Sequence, residues 1–312
     1  MGSDAHVIVV GGAPPLVERA RRRIDDLERR WSRFLPDSEI SDLNRRAGRP
    51  VAVSEETVTL VERAIEAWRL TGGSFDPTVL GDVIRAGYDR PFDDLGPDPT
   101  NGHSRLILGC TDIDVAGREI RLPAGTGFDP GGIGKGLAAD MVVAETMASG
   151  AAGVCVNLGG DLRVTGLDPT DAAWTVAVEH PLAATPLAYI GLRDGAVATS
   201  TTLRRRWQVD GQLRHHLIDP VNGLSCDTDL TLASVVAGAA WTAEVLAKAV
   251  LLRGSSRAFD VIDGIGAEAL VVDDAGCVSA SAGLSAYLGG TRLADRIPVS
   301  AAVAGLMNGA RR

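Results

Sequence analysis

The sequence predicts one α+β domain over residues 1–312, with a mixed or antiparallel β-sheet core and surrounding helices. Three observations support this fold class. Strand-like segments cluster and mix with helices, without the strict alternation of a doubly wound fold. Hydrophobic residues form 45% of the chain and charged residues 23%, which is typical of a globular protein. No segment reaches the roughly 18 consecutive apolar residues that a membrane helix needs.

The composition argues against several classes of partner. The formal net charge of −9 disfavours nucleic acid and anionic membrane surfaces, and an aromatic content of 4% disfavours base stacking. The four cysteines form no C-x-x-C pair, so we expect them to be reduced and not to bind zinc. No secretory leader or lipid-acceptor cysteine is recognisable at the N-terminus, and the predicted location is therefore the cytoplasm.

Two amphipathic helices are predicted in the N-terminal part of the chain. From Pro15 to Arg33, apolar residues recur at helical spacing beneath an arginine-rich outer face. A second helix is predicted from Ser54, which is a suitable N-cap, to Leu70. The polar segment between them connects the two, and a short helix is predicted to begin within residues 38–41.

Most of the predicted strands follow. The alternating pattern from Arg105 to Leu122 predicts RLILGC, TDIDVAG and REIRLP as strands, with a turn at Ala116-Gly117. A helix is predicted over Leu137–Ala148 and a buried strand over Gly153–Leu158. Further strands are predicted in WTVAVEHP, PLAYIGLRDGAVATS, RRWQVD, HHLID, LTLASVVA and ALVVDDAG, and further helices over Trp241–Arg253 and Ser255–Ile262.

The segment DPGGIGKGLAAD, from Asp129 to Asp140, has the composition of an anion-binding loop. Its glycines allow backbone amides to approach a ligand, and Lys135 supplies a cation. It matches neither a Walker loop, since no Ser or Thr follows Gly-Lys, nor the dinucleotide fingerprint. A glycine-rich turn that caps the following helix is the alternative interpretation.

Five turns of related composition end apolar runs along the chain. They are GGSFDPTV, DPGGIGKGLAAD, VNLGGDLRVTG, VATSTTLRRRW and HHLIDPVNGLS. Turns this rich in amides, hydroxyls and carboxylates indicate loops that converge on one ligand with phosphates and a heterocycle. In this order, and with SRFLPDSEISDLNR before them, they resemble the motifs of the ApbE family of FAD:protein FMN transferases. The resemblance spans roughly residues 32–254.

The resemblance implies an ApbE-type, T-fold-like domain that binds FAD. It also implies transfer of FMN from FAD to a Ser or Thr hydroxyl of an acceptor flavoprotein, with release of AMP and assistance from Mg²⁺. By the same resemblance, Lys135 neutralises phosphate charge, and His216 or Asp219 accepts the hydroxyl proton. The flavin- and nucleotide-contacting residues implied are Asn44, Phe75, Asp76, Tyr88, Gly131, Gly132, Lys135, Asn157, Gly159, Gly160, Asp161, Thr199, Ser200, His216 and Leu217. The carbonyl of Gly132 falls at a metal-ligand position.

Structural roles are open for many of these residues. Asp76 is suited to a turn or helix cap, and Asn157 and Asp161 to binding turn amides. His215 and His216 alternate in a predicted strand, where one of them would be packed. Thr199–Thr202 has the composition of a polar strand end. Arg204–Arg206 is expected to be solvated or to contact an acceptor protein.

The sequence departs from the family pattern at the metal site. The family helix resembles TADALATA, whereas residues 242–249 of this chain read TAEVLAKA. Glu244 replaces a ligand Asp, and Lys248 replaces a ligand Thr, although an ammonium cannot coordinate Mg²⁺. Either Lys248 substitutes for the charge of the metal, or the pair is a helix salt bridge in a flavin-binding relative without transferase activity. A flavin-dependent redox role is a third interpretation.

Overall fold

The structure is a computed structural model that describes residues 4–95, 109–180, 185–209 and 211–289. Within these ranges the side chain of Ser38 caps helix α2 (Glu39–Arg45) and that of Ser54 caps helix α3 (Glu55–Leu70), and each accepts a hydrogen bond from the backbone three residues later. The predicted starts of both helices are confirmed. The helices are α1 (Leu16–Trp31), α2 (Glu39–Arg45), α3 (Glu55–Leu70), α4 (Leu80–Arg85), α5 (Gly134–Ala148) and α6 (Ala240–Arg253).

The strands form a predominantly antiparallel architecture, which confirms the predicted fold class. They are β1 (Ala5–Val10), β2 (Val51–Ala52), β3 (Asp114–Ala116), β4 (Glu119–Arg121), β5 (Gly153–Leu158), β6 (Asp161–Gly166), β7 (Trp174–Val178), β8 (Ala188–Leu192), β9 (Asp194–Thr201), β10 (Arg206–Val209), β11 (Gln212–His215), β12 (Ile218–Asp219), β13 (Leu224–Ser225), β14 (Leu230–Ala237), β15 (Glu268–Asp273) and β16 (Val278–Ala280). The largest sheet has seven strands in the order β1-β5-β6-β9-β14-β15-β16, and smaller sheets pair β2-β4-β3, β7-β8, β10-β11 and β12-β13.

The chain divides into two compact units. The first unit contains Arg22–Gly134 and Arg205–Cys226, and the second contains Asp4–Arg21, Lys135–Arg204 and the chain from Asp227 onward, as far as these ranges are described. The large sheet therefore belongs to the second unit. The aromatic residues Phe34, Tyr88, Phe92 and Trp207 belong to the first unit.

The core of the second unit lies against the large sheet. Strand β14 is buried along its whole length, as expected for a central strand covered on both faces. Helix α6 packs against β6, β9 and β14. A separate apolar cluster combines inward residues of the sheet with the β7-β8 hairpin, including Val164, Leu232, Trp174 and Ile190.

A smaller core in the first unit surrounds Tyr88 and Trp207. Val83, Val209 and Ile218 are buried with them. The indole nitrogen of Trp207 donates to the carbonyl of Ala86, which follows α4. This contact fixes the β10-β11 hairpin to the turn that carries Tyr88.

Several predicted boundaries are wrong. Cys110 belongs to a 3₁₀ turn (Cys110–Asp112) that Gly109 precedes, and residues 105–108 of RLILGC lie outside the described residues. The predicted helix over Ser255–Ile262 is α-helical nowhere and contains only a 3₁₀ turn at Ser255–Arg257. Strands β1, β2, β6, β13 and β16 lie outside the predicted set.

Two further boundaries differ for identifiable reasons. Helix α5 begins at Gly134 rather than Leu137, because a tertiary contact from Glu244 satisfies the first-turn amide of Gly136. Strand β11 ends at His215, so His216 is not a strand residue. There the Ser225 hydroxyl accepts from the His215 amide and donates to its carbonyl, and it takes the place of a neighbouring strand.

Candidate functional site

Asn44 fixes the backbone at the entrance to the glycine-rich segment. Its side-chain amide donates to the carbonyl of Phe128 at 3.0 Å and accepts from the Phe128 amide at 2.7 Å. Both ends of the Asn44 amide are thus used by one residue. Helix α2 thereby sets the position of the chain immediately before Asp129.

The glycine-rich segment begins with a turn that Asp129 holds. Its Oδ1 accepts from the amide of Gly131 at 2.8 Å and lies 3.6 Å from the Arg33 Nε. Pro130–Gly132 forms a 3₁₀ turn, and the carbonyl of Pro130 accepts from the Ile133 amide. The amide of Gly131 is therefore engaged inside the turn.

Arg33 is absent from the residues predicted to form the site. Its guanidinium donates to the carbonyl of Tyr88 at 3.0 Å, and it lies 4.1 Å from the ring centroid of Phe34 and 4.7 Å from that of Tyr88. These are cation–π distances. Because Arg33 also faces Asp129, it ties the glycine-rich segment to the aromatic residues. Its presence in SRFLPDSEISDLNR is the signal that could have identified it.

Four of the chain's few aromatic residues form one cluster around Tyr88. Its ring centroid lies 5.5 Å from that of Trp207, 5.8 Å from that of Phe34 and 6.5 Å from that of Phe92. These separations are typical of tilted and edge-to-face contacts. Tyr88 was predicted from the family resemblance, whereas the other three come together only in the fold.

Asp76 and Phe75 are buried in the turn before α4. The Asp76 Oδ1 accepts from the amide of Thr78 at 2.7 Å and from its hydroxyl, and the hydroxyl of Thr71 accepts from the Phe75 amide at 3.0 Å. Burial raises the pKa of Asp76 despite these hydrogen bonds. The geometry matches the turn-cap interpretation of Asp76.

The segment from His215 to Asp219 lies in the first unit and is shaped by its own side chains. The His215 Nδ1 accepts from the amide of Leu217 at 3.3 Å, and its Nε2 lies 3.2 Å from the carbonyl of Cys226. An Nε2-protonated tautomer satisfies both contacts. Burial lowers the pKa of His215 to about 4, so this imidazole is neutral at physiological pH.

Asp219 holds the turn that follows it. One carboxylate oxygen accepts from the amide of Val221 at 2.9 Å, and the other accepts from the Asn222 side chain at 3.0 Å. Leu217 is buried, whereas His216 is half-buried immediately after β11. The structure therefore gives Asp219 a turn-stabilising role, and the Nδ1 of the His216 imidazole is buried.

In the second unit, Lys135 and Glu244 form the centre of a buried charge cluster. The Lys135 Nζ lies 2.6 Å from the Glu244 Oε1 and also binds Asp161. The Glu244 Oε2 accepts from the amide of Gly136 at 2.8 Å. The Lys248 Nζ lies 3.4 Å from the Glu244 Oε1 and 3.2 Å from its carbonyl oxygen. Asp161 is thus an ion-pair partner rather than a binder of turn amides.

The electrostatics of the cluster follow from its burial. Burial opposes ionisation of Glu244, but the ammonium groups of Lys135 and Lys248 lower its pKa to about 2. For Asp161 burial is the stronger influence, and its pKa rises to about 6 although Lys135 favours the carboxylate. Burial also lowers the pKa of Lys248. Glu244 is therefore an anion fixed between two cations.

Helices α5 and α6 meet at their N-termini, which positions this cluster. The carboxylate of Asp140 accepts from the amides of Ala240 and Trp241 at 2.8 and 3.0 Å, because the N-cap residue of α6, Ala239, has no side-chain acceptor. Arg163 lies 3.2 Å from Asp140. Asp140 is the last residue of the glycine-rich segment, but its capping role is visible only in the fold.

The remaining predicted contacts lie at strand ends of the second unit. The side chain of Asn157 accepts from the amide of Gly160 at 2.8 Å, and Gly159 and Gly160 have φ values of 63° and 99°. These glycines form the tight β5-β6 turn, which other residues adopt poorly. The Thr199 hydroxyl pairs with that of Ser234 at 2.6 Å, and Ser200 is half-buried beside it.

The described residues do not fit a magnesium site. Both lysines surround the Oε1 of Glu244, and Gly136 occupies its Oε2. Mg²⁺ requires oxygen ligands at roughly 2.1 Å in an octahedral arrangement, and an ammonium cannot be one of them. Among residues 4–95, 109–180, 185–209 and 211–289, no group of three or more His, Cys, Asp or Glu side chains is placed to hold a metal ion.

No helix among the described residues is long and apolar enough to span a bilayer.

The fold resembles solved structures of ApbE proteins. The ApbE protein of Thermotoga maritima aligns with a TM-score of 0.81 and 24% identity, over 92% of this chain and 96% of that chain. The flavin transferase ApbE of Vibrio cholerae aligns with a TM-score of 0.77 and 23% identity, over 92% and 96%.

The sequence comparisons agree with this likeness. The FAD:protein FMN transferase of Treponema pallidum is 32% identical over 273 residues, which cover 80% of this chain and 74% of that protein. The enzyme of the same name from Vibrio cholerae is 28% identical over 248 residues, which cover 78% and 74%. The sequence profile of the ApbE family matches residues 1–271. With a match over most of its length, the chain belongs to the ApbE family.

Proposed function

We propose that this chain is a FAD:protein FMN transferase. Membership of the ApbE family and relatives of that name support the assignment. The observation in the structure that carries it is the Lys135 ammonium, held in the first turn of α5 directly after the glycine-rich segment. A fixed cation in the first turn of a helix is suited to a diphosphate.

The reaction exchanges a phosphoanhydride bond for a phosphate ester bond. The hydroxyl oxygen of a Ser or Thr on an acceptor flavoprotein attacks the phosphorus of the FMN half of FAD. The bond from that phosphorus to the bridging oxygen breaks, and AMP leaves with the bonding electron pair. The hydroxyl proton passes to a base. Lys135 would neutralise charge on the phosphates as the bond breaks.

His216 is the base that we favour in this scheme. Asp219 already uses both carboxylate oxygens within its own turn, and His215 is hydrogen-bonded at both ring nitrogens. His216 directly follows His215 in the chain and is half-buried, and an imidazole nitrogen can accept a proton from a hydroxyl.

The remaining predicted residues would bind FAD or shape its site. Tyr88, with Phe34, Phe92 and Trp207, offers aromatic faces to a flavin or adenine. Asn44, Asp76 and Asn157 would act through the backbone turns that they hold. Residues assigned to direct contact on family resemblance are Phe75, Gly131, Gly132, Gly159, Gly160, Thr199, Ser200 and Leu217.

The test measures AMP release and covalent flavin transfer. The full chain is incubated with FAD and an acceptor flavoprotein that carries a Ser/Thr flavinylation motif. We expect AMP by chromatography and flavin fluorescence on the acceptor after denaturing electrophoresis. An acceptor with Ala in place of the Ser or Thr is the substrate control, and Lys135→Met should lower the rate about 100-fold.

A second outcome has a structural basis. The engagement of Glu244 by two ammonium groups also suits a flavin-binding relative that performs no transfer. Tight FAD binding without AMP release, with several acceptors and with or without Mg²⁺, would establish that role and reject the transferase assignment.

A further inference from the structure

Lysine occurs at two positions in this chain, Lys135 and Lys248, among 31 basic residues counted as Lys plus Arg. Arginine fills every other basic position, including the ion pairs of α1 and the contact from Arg163 to Asp140. Both lysines lie in the second unit and approach the same oxygen, the Oε1 of Glu244. The choice of Lys over Arg is therefore specific to this cluster.

The two residues differ chemically in a way that matters here. Guanidinium is planar and extended, whereas an ammonium is a compact point charge with three donors. Of the protein's cationic groups, the ammonium is the nearer in shape to a bare metal ion. Two such groups, 2.6 and 3.4 Å from one carboxylate oxygen, occupy the surroundings in which that oxygen would bind a cation.

The charges are arranged with the acids inside and the cations outside. The side chains of Glu244 and Asp161 are 0% and 6% exposed, and those of Lys135 and Lys248 are 15% and 14% exposed. Two carboxylates balance two ammonium groups, so the cluster needs no further cation for neutrality. Its accessible edge is nevertheless positive, which suits an anionic ligand rather than a metal ion.

From this arrangement, and resting on the proposed function, we propose that the lysine pair replaces the divalent cation. The Lys248 ammonium, anchored on Glu244, acts with Lys135 as the positive charge that faces the FAD diphosphate. The chain therefore binds FAD and releases AMP without Mg²⁺. Lys248 is a ligand-binding residue, and Glu244 is the positioning residue that holds both ammonium groups.

The first test observes the two lysines directly. With ¹⁵N-labelled lysine, the full chain gives two side-chain ammonium resonances, which K135R and K248R assign. We expect both resonances to shift on titration with FAD in EDTA. If both resonances keep their free-protein chemical shifts at saturating FAD, the proposal is overturned.

The second test measures metal binding without reference to activity. Mn²⁺, a spectroscopic substitute for Mg²⁺, is titrated into the chain with FAD present and followed by electron paramagnetic resonance. The wild-type chain should bind no stoichiometric Mn²⁺, whereas the double change Glu244→Asp with Lys248→Thr should bind one. Stoichiometric binding by the wild-type chain would overturn the proposal.

The third test separates this proposal from the assignment of the reaction. In EDTA the wild-type rate of AMP release should change less than twofold, and Lys248→Met should weaken FAD binding at least tenfold. Arg257→Met, which removes one exposed positive charge paired with Asp260, is the matched control and should bind FAD as the wild type does. If EDTA abolishes AMP release and Mg²⁺ restores it, the proposed role of the lysine pair is wrong, but the transferase assignment is not contradicted. Absence of AMP release under every condition would contradict the transferase assignment, and the resonance and Mn²⁺ results would still decide the role of the pair.

Discussion

His215 is kept uncharged by its surroundings. Burial lowers its pKa to about 4, and the positive charge of Arg206 acts in the same direction, while the Cys226 carbonyl opposes the shift. Hydrogen bonds to both ring nitrogens also fix the tautomer. This neutral imidazole connects the end of β11 to the turn at Leu217, so its protonation should disturb the segment that carries His216.

The protonation of His215 should make stability depend on pH in a defined window. An unfolded histidine binds a proton below a pKa of roughly 6.5, whereas His215 in the folded chain does so only below about 4. The unfolded state therefore binds more protons between these values, and stability falls as pH decreases from about 6.5 to 4. The contribution is about 3 kcal/mol when complete.

Urea denaturation at pH 8 and at pH 5 measures this effect. The change His215→Asn keeps an acceptor for the Leu217 amide but cannot titrate. Between pH 8 and pH 5, this variant should lose less unfolding free energy than the wild type does, whatever its stability at pH 8. An equal loss in both proteins would show that another group causes the pH dependence.

At the scale of elements, the contact between α5 and α6 depends on the absence of a side chain at Gly136. A Cβ at Gly136 would lie 2.4 Å from the carbonyl oxygen of Ala240 and 2.6 Å from the amide nitrogen of Trp241. These are backbone atoms that cannot rotate away. The close approach allows Glu244 to accept from the Gly136 amide and Asp140 to cap α6.

Gly136→Ala should therefore destabilise the chain. Alanine favours a helix over glycine by about 1 kcal/mol, but overpacking of a close contact costs about 1–3 kcal/mol and more against backbone. We expect the clash to dominate, with a net loss near 2 kcal/mol in chemical denaturation and weaker FAD binding.

Gly238→Ala is the matched control for this change. A Cβ at Gly238 would meet no heavy atom within 4 Å, so its effect should stay within about 0.5 kcal/mol. If Gly136→Ala is as stable as this control, the helices can separate without cost, and the close approach does not position the charge cluster.

At the scale of the whole molecule, the number of times that the chain crosses between the two units is relevant to the prediction of a single domain. The chain passes between the two units after Arg21, Gly134, Arg204 and Cys226. Neither unit is a continuous segment, and α1 contributes residues to both. We therefore propose that residues 1–312 fold as one domain, as the sequence predicts.

Differential scanning calorimetry checks this proposal. A single cooperative unit gives one transition whose calorimetric enthalpy equals the van't Hoff enthalpy. We expect that result in the absence of FAD, and one transition shifted upward as FAD is added. Two separable transitions, of which FAD moves only one, would instead show two independent domains.

The sequence predicts local features of this molecule better than distant contacts. Helix α3 follows from its Ser54 cap and its apolar spacing, and β5 and β14 follow from short apolar runs. The partners of Lys135 lie 26 and 109 residues away along the chain, and no local pattern reveals such pairs. The sequence therefore identified the motifs that carry Lys135 and Glu244, but not their direct contact.

Two errors in the sequence prediction, at β11 and α5, arise from such contacts between residues that lie apart in the chain. Strand β11 ends early because a distant Ser225 hydroxyl binds both backbone groups of His215. Helix α5 begins early because Glu244 satisfies an amide in its first turn. In each case a tertiary side-chain contact replaces the hydrogen bond that a local pattern would predict.

The placement of both lysines in one buried cluster also determines how the chain responds to a protease. A lysine-specific endopeptidase can cut this sequence at two peptide bonds, after Lys135 in α5 and after Lys248 in α6. Since cleavage requires local unfolding of the helix that contains the bond, digestion reports the opening of this one region. Saturation with a ligand held by both ammonium groups should slow the two cuts together.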